Sequence, residues 1–132
     1  MSNLSIKAKF ETLRVLAGTT PISNAYLAVG APLANPARIV KISNETDINI
    51  LLSIAYPETL ENPTPPPLTI TTQPDQDFIP ANGFILYDLG TNRSSMGSTL
   101  QFAAGTQFFV KRADAADSTS GSVYITVIYA GV

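Results

Sequence analysis

Residues 37–56 read ARIVKISNETDINILLSIAY. In the second half Ile48, Ile50, Leu52, Ile54 and Tyr56 fall on one side, and Asn49, Leu51, Ser53 and Ala55 on the other. A period of two with β-branched residues on the apolar side is a strand signal. The first half, Arg38–Ser43, contributes Ile39, Val40 and Ile42. Between them stand Asn44, Glu45, Thr46 and Asp47, whose short polar side chains cap turns. The stretch reads as an antiparallel hairpin with one apolar face. A lone hairpin is not stable in water, so the remaining chain or a partner must cover it.

The rest of the chain has the means to do so. It has 132 residues, of which 45% are hydrophobic, enough for the core of one domain over 1–132. Only 14% are charged, against roughly 25% in ordinary soluble domains. A surface of Ser, Thr, Asn, Gln and small apolar residues suits a protein packed against neighbours, since burying an amide or hydroxyl costs less than burying a charge. A weakly charged β domain with no such neighbours has the same composition. Eight basic and ten acidic residues give a net charge of −2, and no basic run is present. Nucleic-acid binding, which needs clustered Lys and Arg, is not expected. The chain has no cysteine and no histidine, so thiol chemistry and the commonest general base and metal ligand are missing. No apolar run reaches the roughly 18 residues of a membrane span. MSNLSIKAKF lacks the pattern of a signal peptide, and folding in a cytoplasm is expected.

Upstream, Ser2–Thr12 alternates, with Leu4, Ile6, Ala8 and Phe10 on one face and Ser5, Lys7, Lys9 and Glu11 on the other. That is a half-buried strand with a wet side. Leu13 and Val15 then take over the apolar side, which calls for a bulge near Thr12–Leu13. Residues 1–17 also read as an extended arm reaching a neighbouring subunit. Gly18–Pro36, with Pro21, Gly30, Pro32 and Pro36, is an irregular connection holding a short extended piece around Tyr26–Val29.

Downstream, 57–80 is a Pro-rich loop containing PTPPP at 63–67, with a short strand expected at Leu68–Thr72. Phe84–Leu89 is a strand with Phe84 and Leu86 turned inward. Gly90–Thr99 is a polar loop, and Leu100–Phe102 and Thr106–Arg112 are strand pieces. In Ser122–Ala130, Val123, Ile125, Val127 and Tyr129 share one face, and Tyr124, Thr126 and Ile128 the other. With both faces largely apolar it is a central strand, or one whose outer face meets a partner. Seven to eight strands, no amphipathic helix and frequent turn signals give an all-β chain, an antiparallel β-sandwich of jelly-roll-like kind.

No constellation carries chemistry. Asp75/Asp77 and Asp114/Asp117 lack the glycine and the bidentate glutamate of an EF-hand loop, and solvated loops are the plainer reading. Paired carboxylates could hydrolyse glycosides, but the chain has no tryptophan for a sugar platform. The serines have no histidine partner and no G-x-S-x-G elbow. An enzyme is not expected, nor a cofactor, metal or small-molecule substrate. Arg38 has Glu45, Asp47 or a neighbouring subunit as partners. Tyr87, Tyr124 and Tyr129 serve as core residues or interface anchors.

Several segments in order, SNAYLAVGAPLANPARIVKISNETD, DFIPANGFILYDLGTNR, LQFAAGTQFFVKR and GSVYITVIYAGV, resemble small virion proteins of tailed bacteriophages, of the kind encoded among head-assembly genes. The likeness spans about 23–132. It implies a β-sandwich that works by docking. The function it implies is capsid decoration or cement, with the major capsid protein and further copies of itself as partners. The protein would be made in the host bacterial cytoplasm and would act in the virion as a homo-oligomer, a trimer, where capsomers meet. Contacts are expected from the arm (Leu4, Ile6, Phe10), the Pro-rich loop (Pro65, Pro66, Pro67) and the polar loop (Arg93, Met96). The alternatives are a neck or tail ring component joining portal and tail, and a carbohydrate-binding sandwich for host attachment.

Overall fold

The computed structural model describes residues 7–17, 19–56, 74–89 and 101–131. Among them are nine strands and no helix: β1 (Lys7–Phe10), β2 (Arg14–Leu16), β3 (Leu27–Ala28), β4 (Ile39–Asn44), β5 (Ile50–Ala55), β6 (Asp77–Ile79), β7 (Gly83–Asp88), β8 (Gln107–Arg112) and β9 (Val123–Gly131). They form two antiparallel sheets. The first has the order β1-β9-β4-β7, with β2 also on β9, and the second the order β3-β8-β5-β6. The pairing is nested: β1 and β2 meet β9, β3 meets β8, β4 meets β7, and β5 meets β6.

The alternation of the sequence builds the core. Val40 and Ile42 of β4 and Val123, Ile125 and Val127 of β9 join Ile50 and Leu52 of β5, Ile79 of β6, and Phe108 and Val110 of β8 in one buried cluster. The two sheets therefore pack face to face over a shared interior, a β-sandwich-like arrangement. Phe102 sits edge-on to both Tyr87 and Phe108, with ring centroids 5.8 and 5.6 Å away.

β9 lies between β4 and the β1–β2 edge, the central position expected of the 122–130 run. The 37–56 stretch does hold two strands, but they are not a hairpin. β4 pairs with β7 and β9, and β5 with β6 and β8. Residues 45–49 carry the chain from one sheet to the other, so the two apolar faces meet across the core rather than lying side by side. Asn44 makes this possible. It is fully buried, and its Nδ2 donates to the carbonyls of Ile48 (2.8 Å), Ile79 (3.1 Å) and Pro80 (3.2 Å). Its Oδ1 accepts from the backbone N–H and the hydroxyl of Thr46. One side chain thus ties the β4–β5 crossing to the β6–β7 crossing. Gly121 closes the same end at φ +84°, where a Cβ would lie 1.9 Å from the Glu45 carbonyl oxygen.

Other expectations are corrected in detail. β6 falls inside the stretch read as Pro-rich loop. Of the strand piece expected at Leu100–Phe102, Leu100 lies outside the described residues, and Phe102 forms an isolated bridge with Ala37. In β7 the period is as read but the phase is reversed: Ile85 and Tyr87 pack against the core, while Phe84 and Leu86 are exposed. The strand expected at Leu68–Thr72 lies outside the described residues.

Replacing Asn44 by Leu removes a donor from three carbonyls, of which Ile48 O keeps the Thr46 hydroxyl and Pro80 O keeps the Gly83 N–H, and it removes the acceptor of the buried Thr46 N–H and hydroxyl. At about 1–3 kcal/mol for each unsatisfied group, the variant is expected to lose at least about 2 kcal/mol in urea unfolding.

Candidate interaction surface

The register defines what the outer face of the first sheet carries. Phe10 stands beside Ile128, which pairs with Ile39, which pairs with Asp88. Val15 stands beside Tyr124, followed by Ser43 and Phe84. Thr126, Lys41 and Leu86 lie between these two rows. Directly opposed residues share a face, so this face is mostly apolar. Its two margins are the most exposed: Phe10 (67%), Leu13 and Val15 on the β1–β2 side, and Phe84 (61%) and Leu86 on the β7 side. Lys41 lies in the middle, its Nζ 5.0 Å from the centroid of the Phe84 ring. Single exposed apolar side chains need no explanation, but a contiguous group does.

The bulge expected near Thr12–Leu13 is present. Phe10 pairs with Ile128 and Arg14 with Ile125, so Glu11, Thr12 and Leu13 stand opposite Thr126 and Val127. The extra residue keeps Phe10 and Val15 on the same face, as the sequence pattern requires. That face, however, is the outside. The side expected to be wet turns inward after Lys9 and buries an ion pair. Glu11 and Arg14 have side chains only 6% and 8% exposed, with Arg14 Nη2 2.7 Å from Glu11 Oε1.

Both charges take partners from the connection between β3 and β4. Arg14 donates through Nε to Ala31 O (2.7 Å) and through Nη2 to Pro32 O (2.9 Å), and through Nη1 to Thr12 O (3.2 Å). The Glu11 carboxylate accepts the backbone N–H groups of Ala34 (3.2 Å) and Asn35 (2.8 Å) and the Asn35 side-chain amide (3.2 Å). Gly30 permits the close approach: it has φ +71°, and a Cβ there would lie 2.7 Å from Arg14 Cγ. Burial alone would push the Glu11 carboxyl up. The hydrogen bonds from Arg14, Ala34 and Asn35 outweigh it, and the group titrates below the ordinary glutamate range. A cavity of about 540 Å³ lies against this clamp, lined by Phe10, Leu13, Val15, Ala31, Pro32 and Tyr129 among others.

The second sheet is closed differently. Tyr26 is buried with Ala55 and Phe109. Burial first, and then its hydrogen bond to Asp75, push its hydroxyl well above the ordinary tyrosine value. Lys111 caps it, with Nζ 3.1 Å from Asp75 Oδ1 and 4.8 Å from the ring centroid. Asp77 accepts from the Tyr87 hydroxyl (2.6 Å), Asp114 binds Asn49, and Asp117 pairs with Arg112. These aspartates are structural partners in two layers rather than one site.

Of the expected contact residues, Phe10 lies on the exposed face. Leu4, Ile6, Pro65, Pro66, Pro67, Arg93 and Met96 lie outside the described residues. Arg38 does not reach Glu45 or Asp47, which flank the opposite end of β4; Asp47 instead accepts from Thr119 and Ser120. The Arg38 Nε is buried without a hydrogen-bond partner. Tyr124 lies on the outer face, Tyr129 lines the cavity, and Tyr87 packs on Phe102. Phe84 and Leu86, expected to turn inward, are exposed, as are Leu13 and Val15 on the apolar side of the first strands; the alternation that marks them is the same for either face. The Glu11–Arg14 clamp was missed, although an opposite-charge pair three residues apart at a break in apolar phase is its visible trace.

Compared with protein-family models, curated proteins and solved structures, the chain matches none.

Because the folded-state pKa of Glu11 is depressed, its contribution to stability is fully present above the unfolded value near 4.5 and is lost as pH falls through the folded value. Glu11→Gln leaves the buried Arg14 charge uncompensated and should cost about 3 kcal/mol at pH 7. Chemical denaturation from pH 7 down to pH 3 should show this gap between wild type and variant closing as the pH falls.

Proposed function

We propose that this chain is a structural protein of a tailed-phage virion that decorates and stabilises the capsid lattice by docking at capsomer junctions. The observation that carries the reading is the inversion at the β1–β2 edge. The charged pair Glu11–Arg14 is buried, while Phe10, Leu13 and Val15 face out on a mostly apolar sheet. A chain this poor in charge gains little from such a face unless something covers it. The resemblance of the quoted segments to small virion proteins supplies the partner, the major capsid protein, and the setting.

The nested pairing supports a jelly-roll winding. With β1 and β2 counted as one strand broken by a bulge, eight strands pair first with last and inward from there. The N-terminal residues are read as an arm that adds contacts to those of the β1–β2 margin. The mechanism is thermodynamic. A protein that binds only the assembled shell stabilises it by RT ln(1 + [L]/Kd) per site, about 2.7 kcal/mol at a hundredfold excess over Kd. Repetition over a lattice adds avidity when several contacts engage together.

The purified protein, added to isolated empty heads, is expected to bind and to raise their melting temperature. Leu13→Lys should abolish both effects while leaving the melting of the free protein nearly unchanged. Quantitative mass spectrometry of virions should count it at a level comparable to the major capsid protein. Heads that neither bind it nor shift would overturn the proposal, as would a count of about a dozen copies, which belongs to a neck or tail ring.

A further inference from the structure

Among the described residues, the four margins of the two sheets are unequal. β3 and β6 are two and three residues long. β1 is four residues long, carries Lys7 and Lys9, and runs into the bulge. Short length, lysine and bulges are the usual devices that keep an edge from pairing with another chain. β7 has none of them. It is six residues long, reads GFILYD, and pairs with β4 along its full length on one side. It contains no Lys, Arg or Pro, and its two outward apolar residues, Phe84 and Leu86, are more than half exposed.

We infer that β7 is a pairing edge, and that its occupant is β7 of a second copy, joined antiparallel about a two-fold axis. The argument for a second copy is self-complementarity. In the register centred on Ile85, Ile85 meets Ile85 of the second copy on the core side. On the outer face Phe84 meets Leu86, and Leu86 meets Phe84, both apolar cross-strand pairs. Asp88 falls opposite Asn82 of the second copy, so no like charges oppose one another. A strand adding to this edge must offer uncharged apolar residues at alternate positions, and β7 itself does so. The result is one continuous sheet, β1-β9-β4-β7 joined to its two-fold copy, through an isologous contact. The building unit is then a dimer, where the resemblance to virion proteins implies a trimer. The β1–β2 margin and the cavity beside it stay free for another partner at both ends of the sheet.

This inference rests on the docking reading in taking the first sheet as the contact face. The two are separable by experiment. Sedimentation velocity of the isolated protein from about 1 to 100 μM should show a monomer–dimer equilibrium. Leu86→Lys should weaken association about tenfold or more with its circular dichroism melt retained, and Val15→Lys on the opposite margin should leave it unchanged. The chain has no cysteine, so Ile85→Cys gives a single-site probe. On oxidation it should form a disulfide-linked dimer, and Val15→Cys should not. A monomer throughout the range overturns the inference, as does a dimer indifferent to Leu86→Lys. Loss of shell binding with the dimer intact counts against the docking reading alone.

Discussion

The hydrogen bonds of Asn44 are the constraint from which the rest of the architecture follows. A chain that winds strands alternately into two sheets must pass between layers, and each passage strips backbone groups of their ladder partners. Here two passages, β4 to β5 and β6 to β7, lie at one end of the molecule. Carbonyls from the two passages, at Ile48, Ile79 and Pro80, converge on one buried amide. Asn is suited to this because it donates twice and accepts as well. Thr46 completes the network by donating to its oxygen. Once both crossings are pinned, the register of β4 against β7 and of β5 against β6 is set, and the apolar faces of the two sheets meet in one buried cluster.

The second organising feature is a reversal of the ordinary partition at the chain's first strands. The buried pair of Glu11 and Arg14 does not add stability simply by being a salt bridge, since desolvating two charges offsets much of their attraction. What distinguishes it is that most of its polar contacts fasten the β3–β4 connection onto the bulged edge. It is a positional device, and the position it holds is that of Phe10, Leu13 and Val15. The clamp and the apolar margin are two consequences of one bulge: the extra residue rotates the charged side in and carries the apolar side past the break without changing its face.

Much of the fold was legible in the chain. Strict alternation in 48–56 and 122–130, β-branched residues and turn clusters specify strands because the side-chain period of an extended backbone is two whatever surrounds it. The bulge was legible for the same reason, as a phase slip between Phe10 and Leu13. β6 was not legible. Three residues, DFI, carry no period, and a Pro-rich context outweighs them locally. NETDIN was misread for a related cause. Its residue types cap turns in general, and nothing local distinguishes a turn within a sheet from a crossing between sheets. The difference lies in the carbonyls of Ile79 and Pro80, more than thirty residues away, which recruit Asn44 into the interior.

What the sequence by itself determined was where the longer strands are and that the chain is low in charge. These are local properties, written in residue type and spacing. Only the tertiary structure decided which face of each strand is inside. Alternation is symmetric between faces, so Phe84 and Leu86 fit a core as well as a surface until β4 and β9 supply enough buried residues to fill the interior. The same holds for Phe10 and Val15 against Glu11 and Arg14. A local rule places the apolar side inward. The backbone carbonyls and N–H groups of 31–35 reverse it, because they satisfy two buried charges at once, and that is information held in the packing of distant segments.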